Sequence, residues 1–310
     1  MSAFRSSKKS ASAIRNALVV YKKSVFEIFH VKRMAQPETP LPAPTPELLK
    51  HFRNCHDVHY RSLDAVGKAL SHYQIPYCVA DRKRTMSYDP FDLIITVGGD
   101  GTLLNAQAHV TNQLVLGVNS NPEVSVGRFC CVGPTELPKA LDLLVKGQAD
   151  VRLLNRMSIA AGQARAILAL NDLLICHRNP AAMSHYTLTA GRVTEHQRSS
   201  GIWVSTAAGS TGAIQSAGGK PMPLLSRDLQ YKPRELYWKK NRPYKLSGGR
   251  VSGSTGMSVT SHMEDGMIYV DGSRVVIPFT YGKRVSIKSS KNRLQVVDFR
   301  NRLEANHLKR

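Results

Sequence analysis

The sequence predicts an α/β domain followed by an all-β domain, and three observations carry that expectation. Up to about residue 148, short apolar runs alternate with segments whose apolar residues recur at helical spacing. One of those runs, 91–97 (FDLIITV), is apolar almost throughout, as a strand buried on both faces of a parallel sheet must be. Past residue 150 the helical spacing gives way to many short runs rich in β-branched residues.

Taken in order, residues 1–16 are Ser, Ala, Lys and Arg without an acid, and read as a basic flexible tail. A first strand is expected at 17–21. A Pro-rich connector, 36–46, should be extended, and Pro46 sits where proline favours opening a helix. Leu48, Leu49, Phe52, Leu63, Val66 and Leu70 continue that helix to about residue 70. Strands follow at 76–80, 91–97 and 114–118, with helices at 102–110 and 135–146, the latter stopped by Gly147. Beyond 150, strands are expected at 151–161, 164–176, 184–194, 201–206, 257–262, 266–270, 274–277, 284–288 and 294–299, and a long loop at 227–256. Asp271-Gly272 signals a hairpin. The expected class is thus α/β plus all-β: a Rossmann-like α/β domain over 17–148, to which a C-terminal segment 290–310 can return, and a β-sandwich over 149–289.

Apolar residues make up 42% and charged residues 21% of 310, which fits a folded chain and not a disordered one. No apolar run approaches the roughly 20 residues a membrane helix needs, so no membrane partner is expected. Five cysteines, an odd and sparse set, argue against a disulfide framework and for a reducing compartment. The expected place is the cytoplasm; the basic N-terminus keeps organellar targeting open. Net charge is +21, and three stretches, 1–34, 227–250 and 283–310, hold 20 of those charges. Such a field attracts polyanions of any kind, so it cannot by itself separate nucleic acid from a nucleotide.

Gly98-Gly-Asp-Gly-Thr102 stands where a buried strand ends and a helix begins, the place where open α/β sheets bind ligands. Its glycines allow left-handed angles and close backbone approach, and the N–H groups of Gly98, Gly99, Gly101 and Thr102 suit phosphates. A lone carboxylate among such amides is a poor phosphate ligand. Asp100 makes sense as a general base toward a hydroxyl or as a Mg²⁺ ligand at a phosphoryl-transfer site, and also as a plain helix cap. A Walker loop is absent, since Gly219-Lys220 is followed by Pro221, and Leu104 replaces the third glycine of a dinucleotide fingerprint.

Asn171-Asp172 interrupts the apolar run 167–175. Two adjacent polar side chains there need partners, from a ligand presenting hydroxyls and a base edge or from water at a strand end. Residues 201–219 form an apolar strand running into a loop of small hydroxyl residues and glycines, which can wrap a flat polar ligand closely.

These three segments, in this order and spacing, resemble the NAD kinase family, and phrases such as Gly117-Val-Asn-Ser120, Ser216-Ala-Gly-Gly219 and Ile268-Tyr-Val-Asp-Gly272 look like its plant-type NADH kinases. The resemblance spans most of 17–300. It implies ATP, with Mg²⁺ or another divalent metal, as donor and NAD⁺ or NADH as acceptor, phosphorylated at the adenosine ribose 2′-hydroxyl. It implies an α/β nucleotide-binding domain, an all-β dinucleotide-binding domain and a homo-oligomer, expected as a dimer. Asp100 would orient or deprotonate the hydroxyl, Gly98, Gly99, Gly101 and Thr102 would hold phosphates, Asn171 and Asp172 would grip the acceptor, and Ser210, Thr211, Gly212 and Ser216 would line its adenosine. No protein-borne metal site is expected.

Two departures bear on acceptor preference. The family's Arg-Gly-Asp-Gly is here Arg198-Ser-Ser-Gly201, which keeps Arg198 as a phosphate ligand but loses the acid; its Thr-Ala-Tyr is here Thr211-Gly-Ala213. The first motif is shared with diacylglycerol, sphingosine and phosphofructokinases, but Leu103-Leu-Asn-Ala-Gln-Ala departs from the Glu-Val-x-Asn-Gly of the lipid kinases. A nucleic-acid-binding protein, the rival from another class, would need interleaved aromatics or a reading motif, and none is visible. His51, Cys55, His56 and His59 recur at one-turn spacing but lack a corroborating ligand cluster, so a solvated helix face is expected there. Trp203 is expected in the core.

Overall fold

The computed structural model describes residues 14–29, 44–125, 127–162, 166–237 and 243–299. Most of the expected basic tail and Pro-rich connector lies outside the described residues. The chain divides into two compact units, one running to Arg152 and resuming at Gln295, the other Leu153–Leu294.

The first unit is built on a six-stranded sheet: β1 (Ala17–Tyr21), β2 (Tyr77–Asp81), β3 (Leu93–Gly98), β4 (Leu114–Asn119), β5 (Asp150–Leu154) and β18 (Leu294–Asp298), in the order β2-β1-β3-β4-β18-β5. β2, β1, β3, β4 and β18 run parallel. All six residues of β3 are buried, which is why its sequence shows no polar alternation. Helix α1 (Pro46–His72) opens as the sequence expects: Thr45 caps it by accepting the Leu48 amide at 3.3 Å, and Pro46 takes the first turn. Val66, Ala69 and Leu70 of α1, with Leu137, Ala140, Leu141 and Leu144 of α3 (Leu137–Val145), share one core with β1, β3 and β4. The chain's last described residues join the same core through Val297 and Phe299. Arg152 and Asp298 form an ion pair within the unit.

Helix α2 (Asp100–Ala106) starts two residues before the expected 102 and ends four before 110, so Asp100 lies in its first turn. The expected strand 151–161 is two strands. β5 belongs to the sheet above and β6 (Met157–Ala161) to the second unit, with Asn155 and Arg156 between them.

The second unit holds two six-stranded sheets. One has the order β10-β9-β14-β17-β6-β7, from β7 (Ile167–Ala169), β9 (Ser184–Ala190), β10 (Val193–Ser199), β14 (Met257–Ser261) and β17 (Arg284–Ser289) with β6. The other has the order β13-β12-β11-β8-β15-β16, from β8 (Asp172–His177), β11 (Ile202–Ser205), β12 (Leu229–Pro233), β13 (Gly249–Val251), β15 (Gly266–Val270) and β16 (Val275–Pro278). Their pairs are antiparallel. Side chains from both sheets, Tyr186, Leu188, Val259 and Ile287 from one and Leu173, Ile175, Val204 and Ile268 from the other, close a single core. An N-terminal α/β unit is therefore followed by a β-rich one.

Four further expectations need correction. The strand expected over 164–176 is β7 and β8, in different sheets, and the one expected over 184–194 is β9 and the start of β10, a hairpin. The loop expected over 227–256 contains β12 and β13, and β12 sits inside the sheet between β11 and β13. Its Leu229 and Tyr231 are core residues, but Lys232 and Pro233 disguise the alternation. Trp203 is half-buried and outside the core cluster: it alternates with Ile202 and Val204, which point inward. Truncating Phe299, fully buried in the first unit's core, should cost about 3–5 kcal/mol of unfolding free energy; equilibrium denaturation checks this, and a change below about 1 kcal/mol would show the returning segment contributes little.

Candidate active site

The glycine turn is held by bonds that the sequence motif alone does not show. Gly98 ends β3 at φ 152°, and a Cβ there would lie 2.4 Å from the Thr102 hydroxyl, so only glycine fits. Its carbonyl accepts the Ser120 amide (3.1 Å), while Thr102 N–H donates to Gly99 O (2.9 Å). The buried Thr102 Oγ1 has no partner among the described residues. Asp100 is half-buried, and its carboxylate accepts two successive backbone amides, Arg128 N–H at 2.9 Å and Phe129 N–H at 2.8 Å. Each oxygen keeps a second lone pair, so the side chain is oriented and still able to accept a proton.

α1 braces the strand ends beside this turn. His59 is buried, not solvated: its Nε2 lies 2.8 Å from the Lys22 carbonyl and its Nδ1 2.8 Å from the Ser120 hydroxyl. A carbonyl only accepts, so Nε2 carries the proton and Nδ1 takes the Ser120 hydrogen. Burial lowers the His59 pKa, the Lys22 carbonyl opposing, which keeps this neutral tautomer. His56 meets Ser24 instead (2.8 Å), and His51 meets Cys55 (3.6 Å), so the one-turn repeat serves separate contacts. Among the described residues no three His, Cys, Asp or Glu side chains group as metal ligands.

In the second unit, Asn171 precedes β8 and Asp172 opens it, both facing the glycine-rich loop. Thr206 N–H donates to Asn171 O (3.0 Å), and Thr206 Oγ1 donates to Leu170 O (2.5 Å). Gly209 lies so close that a Cβ on it would stand 2.0 Å from Asn171 O. A Cβ on Gly212 would be 3.4 Å from Asn171 Nδ2 and 3.7 Å from Asp172 Oδ2. Asn171 Nδ2 in turn donates to Asp172 Oδ2 (3.2 Å). The second and third motifs thus form one surface.

Within that loop the expected residues differ in what they face. Ser210 is fully buried; its hydroxyl donates to Ala207 O (2.8 Å) and accepts the Met222 amide (2.8 Å), clamping the loop. Thr211 is half-buried, and Ser216, closing the one-turn helix α4 (Ala213–Ser216), is exposed. Arg198 stands on β10, in the other sheet, with its guanidinium 5.0 Å from the Tyr237 ring centre and its buried Nε without a hydrogen-bond partner among the described residues.

Asp172 is 4% exposed, and burial, with the Asp271 charge adding, pushes its pKa up to about 7. Asp271 was legible only as half of a hairpin signal. In the structure Asp271 and Gly272 are both left-handed, at φ 47° and 74°, and Val270 pairs with Val275 across a four-residue loop. The buried Asp271 carboxylate accepts the amides of Leu170 (3.1 Å), Asn171 (2.8 Å) and Asp172 (3.3 Å).

Residues 64–149 match the family model for the ATP-NAD kinase N-terminal domain. The chain is 32% identical over 276 residues to a probable NADH kinase of rice (Oryza sativa subsp. japonica), covering 81% of this chain and 85% of that one. It is 32% identical to the NADH kinase of Arabidopsis thaliana, covering 79% and 84%. A crystal structure of an NAD kinase from Archaeoglobus fulgidus in complex with ATP superposes with a TM-score of 0.66 at 22% identity, over 95% of this chain and 98% of that one.

Two predictions follow from this geometry. Gly209→Ala should be destabilised by more than about 2 kcal/mol, because the added carbon must displace the Asn171 carbonyl; thermal melts check this. Asp172 has a raised pKa, so the folded protein holds an extra proton between the ordinary carboxylate value and about 7, and its stability falls as pH rises through that window. Asp172→Asn should therefore gain stability relative to the unaltered protein between pH 4 and 7, by up to about 4 kcal/mol; parallel pH-dependent denaturation curves would expose the error. A chain that carries the glycine turn, the Asn-Asp pair and the loop packed on it, and that aligns with the rice protein over most of both, belongs to the NAD kinase family.

Proposed function

We propose that Asp100, Asn171 and Asp172 carry the family's chemistry in this chain. The protein is an NAD(H) kinase: ATP donates a phosphoryl group to the adenosine ribose 2′-hydroxyl, and NADP(H) and ADP are formed. The O–H bond breaks as the ribose oxygen bonds the γ-phosphorus, the bond from γ-phosphorus to the β–γ bridging oxygen breaks, and ADP leaves. Asp100 takes the hydroxyl proton. The observation that supports this most directly is its double backbone anchor, which fixes the carboxylate while leaving each oxygen a free lone pair.

Gly98, Gly99, Gly101 and Thr102 face the phosphates; the unpartnered Thr102 hydroxyl supports that role. ATP enters as its divalent-metal complex, whose charge offsets that building on the transferring group. Asn171 and Asp172 grip the acceptor, Asp172 as a carboxylate above its pKa, and Thr211, Gly212 and Ser216 line its adenosine. Ser210 acts by holding that loop, and Arg198 contributes a phosphate contact from β10. NADH is the preferred acceptor on the likeness to the rice and Arabidopsis proteins. The α/β unit is Rossmann-like, the β-rich unit a sandwich, and the working form a dimer in the cytoplasm. All five cysteines are free, which supports a reducing compartment. Among the described residues no helix is long and apolar enough to cross a membrane.

Asp100→Asn should lower kcat by at least about 10³-fold with acceptor KM changed little. An asparagine oxygen replaces only one of the two carboxylate oxygens, so this variant should also lose about 1 kcal/mol of stability, water taking up the exposed Arg128 amide. Turnover near that of the unaltered protein would remove Asp100 from the mechanism. Asn171→Ala should raise acceptor KM with ATP KM unchanged, and kcat/KM measured with NADH and NAD⁺ side by side tests the acceptor preference.

A further inference from the structure

Asp271 occupies a position that the reaction above does not use. It is 7% exposed, it is not a glycine yet holds φ 47°, and its carboxylate takes three consecutive amides from a different strand connection. An Asp-Gly turn accepts that left-handed angle, and the three bonds fix where the carboxylate points. Those bonds end on Leu170, Asn171 and Asp172, the residues that enter β8. β15 pairs with β8, with Val270 opposite Leu173, so the sheet register delivers the hairpin loop to the strand end.

The surroundings show why a carboxylate and not a neutral group stands there. Arg274, three residues on, places Nη2 3.8 Å from Asp271 Oδ2 and 3.3 Å from the Leu168 carbonyl. Arg156, fully buried and bonded to Asn292, adds attraction to Asp271 from the β5–β6 connection. Asp172 also faces Asp271, and the two acids repel. Removing charge at 271 therefore alters both the place of the Asn-Asp pair and the ionisation of Asp172.

We propose that Asp271 is a positioning residue for the acceptor site: by accepting the amides of Leu170, Asn171 and Asp172 it sets where the Asn171 and Asp172 side chains stand when the dinucleotide binds. The inference rests on the reading that this pair grips the acceptor. Asp271→Asn keeps an acceptor oxygen but loses the charge, and Asp271→Glu keeps the charge but moves it by one carbon.

Both variants should raise acceptor KM about tenfold, the effect of losing one good hydrogen bond to a charged group, with ATP KM within about twofold. The acidic limb of the kcat/KM profile for the dinucleotide separates positioning from mere support of the fold. It should move to lower pH in Asp271→Asn, because the repulsion on Asp172 is gone, and stay in place in Asp271→Glu. A limb that does not move in Asp271→Asn, or an ATP KM that rises with that of the acceptor, overturns the proposal. Hydrogen exchange of the unaltered full chain gives a reading that needs no variant to fold: the Leu170, Asn171 and Asp172 amides should be protected, and exchange at the rate of open loops overturns the proposal. Asn171→Ala distinguishes the two levels of the claim. If it raises acceptor KM while neither Asp271 variant does, the inference fails and the site reading stands. If none of the three changes acceptor KM, the site reading itself fails.

Discussion

The Asp271 carboxylate accepts the amides of Leu170, Asn171 and Asp172, and the Asp100 carboxylate accepts those of Arg128 and Phe129. In both places a side chain with no donor of its own gathers successive backbone amides from a segment distant in sequence. Leaving the buried Leu170 or Asp172 amide unpaired would cost about 1–3 kcal/mol, so Asp271 in particular fixes the course of a segment distant in sequence. The glycines belong to the same arrangement. Gly98 and Gly209 permit the approach that the carboxylates and hydroxyls then hold, with Thr102 against one and the Asn171 carbonyl against the other.

Charge follows from that packing. Asp172 and Asp271 are both buried, and burial raises both pKa values, with the amides and Arg274 pulling Asp271 back down. Water could not supply the compensation at these exposures, so Arg156 and Arg274 carry it, and their own pKa values fall as burial works on them. Such packing holds its polar groups already oriented toward any ligand. It lowers the ordering cost that would otherwise fall on binding. The +21 net charge acts at longer range, drawing anionic nucleotides toward the molecule without choosing among them.

The strand and helix pattern of the α/β unit was legible because its signals are local: β1 begins and ends where its apolar run does, α1 opens at Pro46, and β3 shows no polar alternation. β12 was hidden because its inward Leu229 and Tyr231 alternate with Gln230 and Lys232 inside a basic stretch, a pattern that fits an exposed loop equally well. The three motifs could be read as candidates because glycine, hydroxyl and acid residues cluster within each. What escaped were partners distant in sequence: the Arg128 and Phe129 amides, His59 under Ser120, and Asp271 beneath Asn171. Local pattern carries no record of which distant segment a carboxylate meets. Asp271-Gly272 was visible as a turn, and nothing in its spacing says that the aspartate side chain points at another strand.

The molecule's reaction is the transfer of one phosphoryl group to one particular hydroxyl. The most direct test incubates the purified full chain with ATP, magnesium and NADH or NAD⁺ and follows the dinucleotide by mass spectrometry and ³¹P spectroscopy. One added phosphate on the adenosine ribose 2′-oxygen, formed in step with ADP, is the result the account predicts. Phosphate at any other position, or ATP consumed with the dinucleotide unchanged, would contradict it.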